Sequence, residues 1–193
     1  MQGRSAESIC RILAATALAA AWASHAAGAD SIVKPPDGAW IQGEEIEIIA
    51  KAVEGRLLVN GEAVEAEEPF PGVLHYRGPL GGGRHTITLE SADGSRSVAF
   101  RLANSPGDGT VQPYIDHPPV RMDCTHCHSV SRRGRFRFSG GCESCHATQQ
   151  FIRTHSHEQH ELSSCGMCHD AHGSSAAKLL VMDRERACKQ CHN

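Results

Sequence analysis

Aromatic side chains are scarce in this chain: 5% of 193 residues, with two Trp, two Tyr and five Phe. A small segment so poor in large apolar groups cannot build a sizeable core from side chains alone. Net charge is also low, at −3, and no dense basic face is visible, so nucleic acid is not an expected partner. The apolar run Ile12 to Trp22 is too short to cross a bilayer comfortably. Cysteine is missing wherever a structural disulfide would need it. Apart from Cys10, the eight others form four pairs between 124 and 191.

Those pairs carry the main signal. They read CTHCH at Cys124 to His128, CESCH at Cys142 to His146, CGMCH at Cys165 to His169 and CKQCH at Cys188 to His192. Two cysteines separated by two residues, with histidine next, form the attachment signature of c-type haem. Each sulfur bonds a porphyrin vinyl group, and the histidine below supplies the iron's fifth ligand. Zinc sites and disulfide frameworks also use such pairs, but neither requires a histidine directly after each one. At this histidine frequency, four such coincidences have a chance on the order of 10^-5. Four covalently attached c-type haems (iron) are therefore expected. Cys124, Cys127, Cys142, Cys145, Cys165, Cys168, Cys188 and Cys191 hold them, with His128, His146, His169 and His192 as fifth ligands.

Upstream, residues 1–29 read as a secretory signal: Arg4 and Arg11 precede the apolar run, and small residues allow cleavage after Ala29 or Ala26. Cys10 lies before that run and leaves with it. Export, to the periplasm or the extracellular surface, suits c-type haem, which is attached outside the cytoplasm. Residues 30–105 read as a small all-β sandwich. Alternation is visible in Glu44 to Lys51, Arg84 to Ser91 and Arg96 to Leu102, where Val98, Phe100 and Leu102 face a core. Asn60-Gly61 marks a tight hairpin turn. Six or seven short antiparallel strands fit this length. His75 and His85 lie on strands and are assigned structural roles. The run from Val59-Asn60-Gly61 through the glycine-rich turn to His85–Gly94 resembles bacterial immunoglobulin-like domains. Residues 106–116 contain Gly and Pro without periodicity and read as a linker.

The fold class is thus two-part: an Ig-like β-sandwich domain, then a haem-organised, mostly irregular segment over 117–193 with short helices, for instance from Cys145 to His160. That segment offers about 19 residues per motif, so haem itself must supply its core, and the apo form is expected to be unfolded. It holds 10 basic and 7 acidic residues, against 7 and 14 in 30–116. The basic excess balances haem propionates. In Arg132 to Phe138, RRGRFRF, basic and aromatic residues alternate; a β-ribbon, a propionate clamp, a surface for an acidic partner and a solvated loop all remain open.

Cys165 to His192 is similar to the doubled-CxxCH unit of multihaem cytochromes. That family carries a histidine three residues after the fifth ligand, followed by glycine, matched by His172 and Gly173. An upstream histidine is matched by His117 before the first unit and by His157 or His160 before the second. Ser131 stands where the first unit would have its own counterpart of His172. The resemblance implies His117, His157, His160 and His172 as sixth ligands, with His155 in reserve. His126 sits inside its own motif and is a poor candidate. Met122, Met167 and Met182 are assigned packing roles.

Bis-histidine ligation leaves no iron position open, which points to electron transfer at low potential rather than an enzyme. Redox-partner proteins are the expected partners, with a membrane-bound oxidoreductase complex one candidate. Two alternatives stand beside this: a reductase with one open haem, and a subunit of an extracellular filament formed by self-assembly.

Overall fold

Residues 30–104, 112–117, 123–146, 165–190 and 192 are described by the structure, a computed structural model. The expected signal peptide lies outside them. Alternating apolar residues between 31 and 102 form nine strands: β1 (Ser31–Lys34), β2 (Trp40–Ile41), β3 (Glu45–Lys51), β4 (Arg56–Val59), β5 (Glu62–Ala63), β6 (Glu67–Phe70), β7 (Val73–Pro79), β8 (Gly83–Ser91) and β9 (Gly94–Leu102). They make two sheets, ordered β1-β3-β7-β6 and β2-β9-β8-β4-β5. Strand periodicity turns Ile46, Ile48 and Ala50 of one sheet towards Ile87, Leu89 and Phe100 of the other, and these inner faces form the core.

Asn60 and Gly61 both take positive φ, 53° and 85°, in the two-residue turn joining β4 to β5. The strand number exceeds the expected six or seven because β2 and β5 are only two residues long. One pairing also departs from the antiparallel expectation. The chain crosses from the first sheet to the second between β1 and β2, so β2 meets β9 in parallel.

Glu47, on β3, collects charge at one sandwich face. It accepts hydrogen bonds from Lys34 Nζ at 2.5 Å, His75 Nε2 at 3.0 Å and Arg77 Nη2 at 2.5 Å. The His75 bond, then Lys34 and Arg77, outweigh burial and hold its carboxyl well below the usual carboxylate range. Lys34, 4% exposed, also pairs with Asp116 Oδ1 at 2.8 Å. His85 lies 3.0 Å from Asn60 through Nδ1 and donates through Nε2 to Gly81 O at 2.7 Å. Both strand histidines are thus engaged within the sandwich.

Residues 112–116 fall inside the expected linker, and here they form a strap. Tyr114 is 6% exposed and belongs to the sandwich core cluster. Its N–H donates to Trp40 O at 2.6 Å, and it bridges Ile41 in parallel. Ile115 makes an antiparallel bridge to Ser174, with both N–H···O distances 2.9 Å. One short strap therefore ties the C-terminal segment to the sandwich.

Candidate metal centres

In each of the first three motifs the cysteine pair is closed by a 3-10 turn, over Cys124–His126, Cys142–Ser144 and Cys165–Met167. The second cysteine's N–H donates to the first cysteine's carbonyl at 3.2, 3.2 and 3.1 Å. Such a turn brings residues three apart onto one side, as two thioether bonds to one porphyrin require. His146, His169 and His192 extend the turn, donating N–H to Cys142, Cys165 and Cys188 at 2.8, 2.9 and 3.0 Å. The fourth motif begins on α1 (Arg184–Lys189), where Asp183 accepts from Arg186 N–H at 3.0 Å as N-cap. Asp123 caps the first turn through Thr125 N–H, also at 3.0 Å. Cys191 lies outside the described residues.

The first motif continues differently. His128 opens β10 (His128–Val130), which pairs with β11 (Phe136–Phe138) in the register His128↔Phe138 and Val130↔Phe136. RRGRFRF therefore forms one arm and the turn of a β-ribbon. Its aromatic residues line His128: Phe136 stacks at 4.7 Å between ring centroids, and Phe138 meets it edge-on at 5.8 Å. Arg137 bonds back to Ser129 Oγ through Nε at 3.2 Å. The sandwich supplies a further side, because Phe70 of β6 lies 5.1 Å from Phe136 and 6.3 Å from His128.

Burial first, then the neighbouring His172 ring, pulls the His128 imidazole below its ordinary value, while a weak contact with the Arg137 backbone pulls the other way. His128 Nδ1 is buried without a hydrogen bond of standard geometry. Burial, with lesser contributions from Asp123, Glu47 and Cys127, pushes the Cys124 thiol up against a backbone hydrogen bond.

The second unit orients its histidines by their outer nitrogens. His169 Nδ1 donates to Lys178 O at 2.9 Å, a backbone contact that sets the orientation of the ring. Asp170 Oδ1 lies 3.5 Å from His172 Nδ1 and accepts the His172 N–H at 2.8 Å. Those contacts, the side-chain one first, hold the Asp170 carboxyl below its usual range. His126 Nδ1 donates back to Asp123 O at 3.1 Å within its own turn.

Two histidine pairs stand out. His128 and His172 have ring centroids 6.0 Å apart and planes 3° from parallel. His117 and His146 are 5.9 Å apart with planes at 76°. The expected ligands His157 and His160, and the reserve His155, lie outside the described residues, as does most of the helix expected from Cys145 to His160. Thiols on a single turn, with an imidazole at its end, suit covalent attachment of iron porphyrin.

Sequence reasoning missed Phe70, Tyr114 and Asp170. Phe70 and Tyr114 carry no periodic signal pointing towards the CxxCH segment. Asp170, two residues before His172, was findable as an outer partner of a ligand histidine.

Residues 157–193 match the family described as doubled CXXCH motif. Among solved structures, the chain is similar to the fibronectin(III)-like modules of CbhA from Clostridium thermocellum, at 20% identity over 38% of this chain and 93% of that one, TM-score 0.30. It is also similar to the titin M10–obscurin-like 1 Ig complex, at 15% identity over 38% and 91%, TM-score 0.26. A third is an engineered protein, at 21% identity over 39% and 18%, TM-score 0.26. No curated protein matches the chain significantly. Among the described residues no helix is long and apolar enough to cross a membrane. The C-terminal residues thus carry a doubled CXXCH motif, the signature of covalently bound c-type haem, behind a two-sheet β-sandwich.

Proposed function

We propose that this chain is an exported tetrahaem c-type cytochrome, periplasmic or extracellular, that carries electrons between redox-partner proteins, with a membrane-bound oxidoreductase complex one candidate. The observation that carries this reading is the fourfold CxxCH repeat at 124–192, whose second half coincides with the matched family. When bound, haem supplies one-electron iron chemistry. The chain's own part is to attach, orient and shield. Cysteine pairs on single turns fix position, and the following histidines set orientation. Phe70 and Phe136 shield one side of His128 from water. Motif starts lie 18, 23 and 23 residues apart, so the four sites share a small volume, and charge can hop among them.

The histidine surplus of 117–193 favours saturated irons, and so a carrier over an enzyme. The test is reaction of the native holo-protein with carbon monoxide and cyanide. Slow or absent binding, with a low-spin c-type spectrum, supports a carrier; rapid binding at one haem in four would assign a reductase instead.

A further inference from the structure

Resting on the tetrahaem reading, the geometry points to an interlocked pairing of axial ligands. His172, from the second CxxCH unit, is the sixth ligand to the iron held by Cys124, Cys127 and His128. His117, ahead of the first motif, is the sixth ligand to the iron held by Cys142, Cys145 and His146.

Ring separation is what assigns the pairs. A metal–imidazole bond is about 2 Å, so two such bonds in line, plus two ring radii of about 1.1 Å, put trans imidazole centroids about 6 Å apart. The observed separations are 6.0 Å for His128 and His172 and 5.9 Å for His117 and His146. Aromatic rings that merely pack also fall within about 4.5–7 Å. Three further facts favour ligation. Each pair joins a motif histidine to a histidine outside the motifs. Asp170 lies on the Nδ1 side of His172, which orients Nε2 away from that carboxylate. Finally, Ser131 leaves the first unit without its own counterpart of His172, and the neighbouring unit supplies one.

The strap fixes both sixth ligands at once. His117 follows Ile115 by two residues and His172 precedes Ser174 by two, on the two sides of the Ile115–Ser174 bridge. The sandwich holds that bridge through buried Tyr114. It therefore acts as a template for two coordination spheres, and the haems of the first two motifs are spatial neighbours.

The two pairs differ in a way that spectroscopy reads. Near-parallel imidazole planes split the iron d orbitals that bond to them, giving a rhombic low-spin ferric signal. Near-perpendicular planes leave those orbitals nearly equivalent, giving a strongly anisotropic signal of large g. Electron paramagnetic resonance of the ferric holo-protein should show both classes. In His172→Met a rhombic component equivalent to one haem should be lost while the large-g signal persists, and His128→Met should alter the same rhombic component. His117→Met should do the reverse. A wild-type spectrum without a rhombic class would overturn the pairing before any variant is made. A rhombic signal of undiminished intensity in His172→Met would overturn it too. Protein without covalent iron porphyrin would instead overturn the tetrahaem reading beneath it.

Discussion

Gly173→Ala should release the strap while leaving the sandwich folded. A Cβ at position 173 would stand 2.6 Å from Tyr114 Oη and 2.7 Å from both Ile115 O and Tyr114 Cζ. The backbone there has φ +135°, where an L side chain costs about 1–3 kcal/mol. Overpacking against a bridged carbonyl and a buried ring adds about 1–3 kcal/mol more. Set against this is what keeps the strap docked. Burial of Tyr114 contributes about 2–3 kcal/mol. The Tyr114–Trp40 hydrogen bond and the two of the Ile115–Ser174 bridge add about 1 kcal/mol each. Cost and docking energy are comparable, so opening the bridge is cheaper than distorting the two sheets. Hydrogen exchange of the holo-protein reads this directly. Amides of Tyr114, Ile115 and Ser174 should lose protection about tenfold for each 1.4 kcal/mol, while those of Ile48, Ile87 and Phe100 keep theirs. Gly81→Ala, whose added Cβ meets nothing within 4 Å, serves as control. Unchanged exchange at the three strap amides, or equal loss throughout the sandwich, would refute the reasoning.

Two further outcomes follow from neighbouring contacts. Glu47→Gln should destabilise the sandwich by about 1–3 kcal/mol at neutral pH, because it weakens bonds to Lys34, His75 and Arg77. The folded carboxyl titrates below its ordinary 4.5, so wild type's advantage is full above that value and shrinks as pH falls below it. Denaturant melts from pH 7 to 3 check this, and a pH-independent difference would contradict it. Phe70→Ala should cost about 3–5 kcal/mol in thermal or denaturant melts, since Phe70 is 7% exposed against Phe136 and His128. On the proposed tetrahaem reading, it should also lower one reduction potential by admitting water beside His128. Four unchanged potentials in a redox titration would remove Phe70 from the haem environment.

Much of the sandwich was legible because its determinants are local. Alternation in β3, β8 and β9 puts Ile48, Ile87 and Phe100 inward, and Asn60-Gly61 supplies a turn that few other dipeptides allow. The CxxCH turns are local for the same reason: cysteine spacing and a 3-10 turn share one period of three. The strap was not legible. Its bridges to Ile41 and Ser174 involve one residue each, too few to leave a periodic trace in a stretch with Gly and Pro. Gly173 matched a family pattern in the sequence, but its physical reason here, the close approach of Tyr114 and Ile115, exists only in three dimensions. The nearness of Phe70 to His128 likewise depends on how two distant segments pack.

The most direct test is the mass and metal content of the purified holo-protein after denaturation and acid extraction. The expected result is a polypeptide that retains its colour, weighs four haems more than its processed sequence and contains four irons, one for each CxxCH motif. A colourless polypeptide of bare sequence mass, or zinc in place of iron, would contradict a haem-built cytochrome segment.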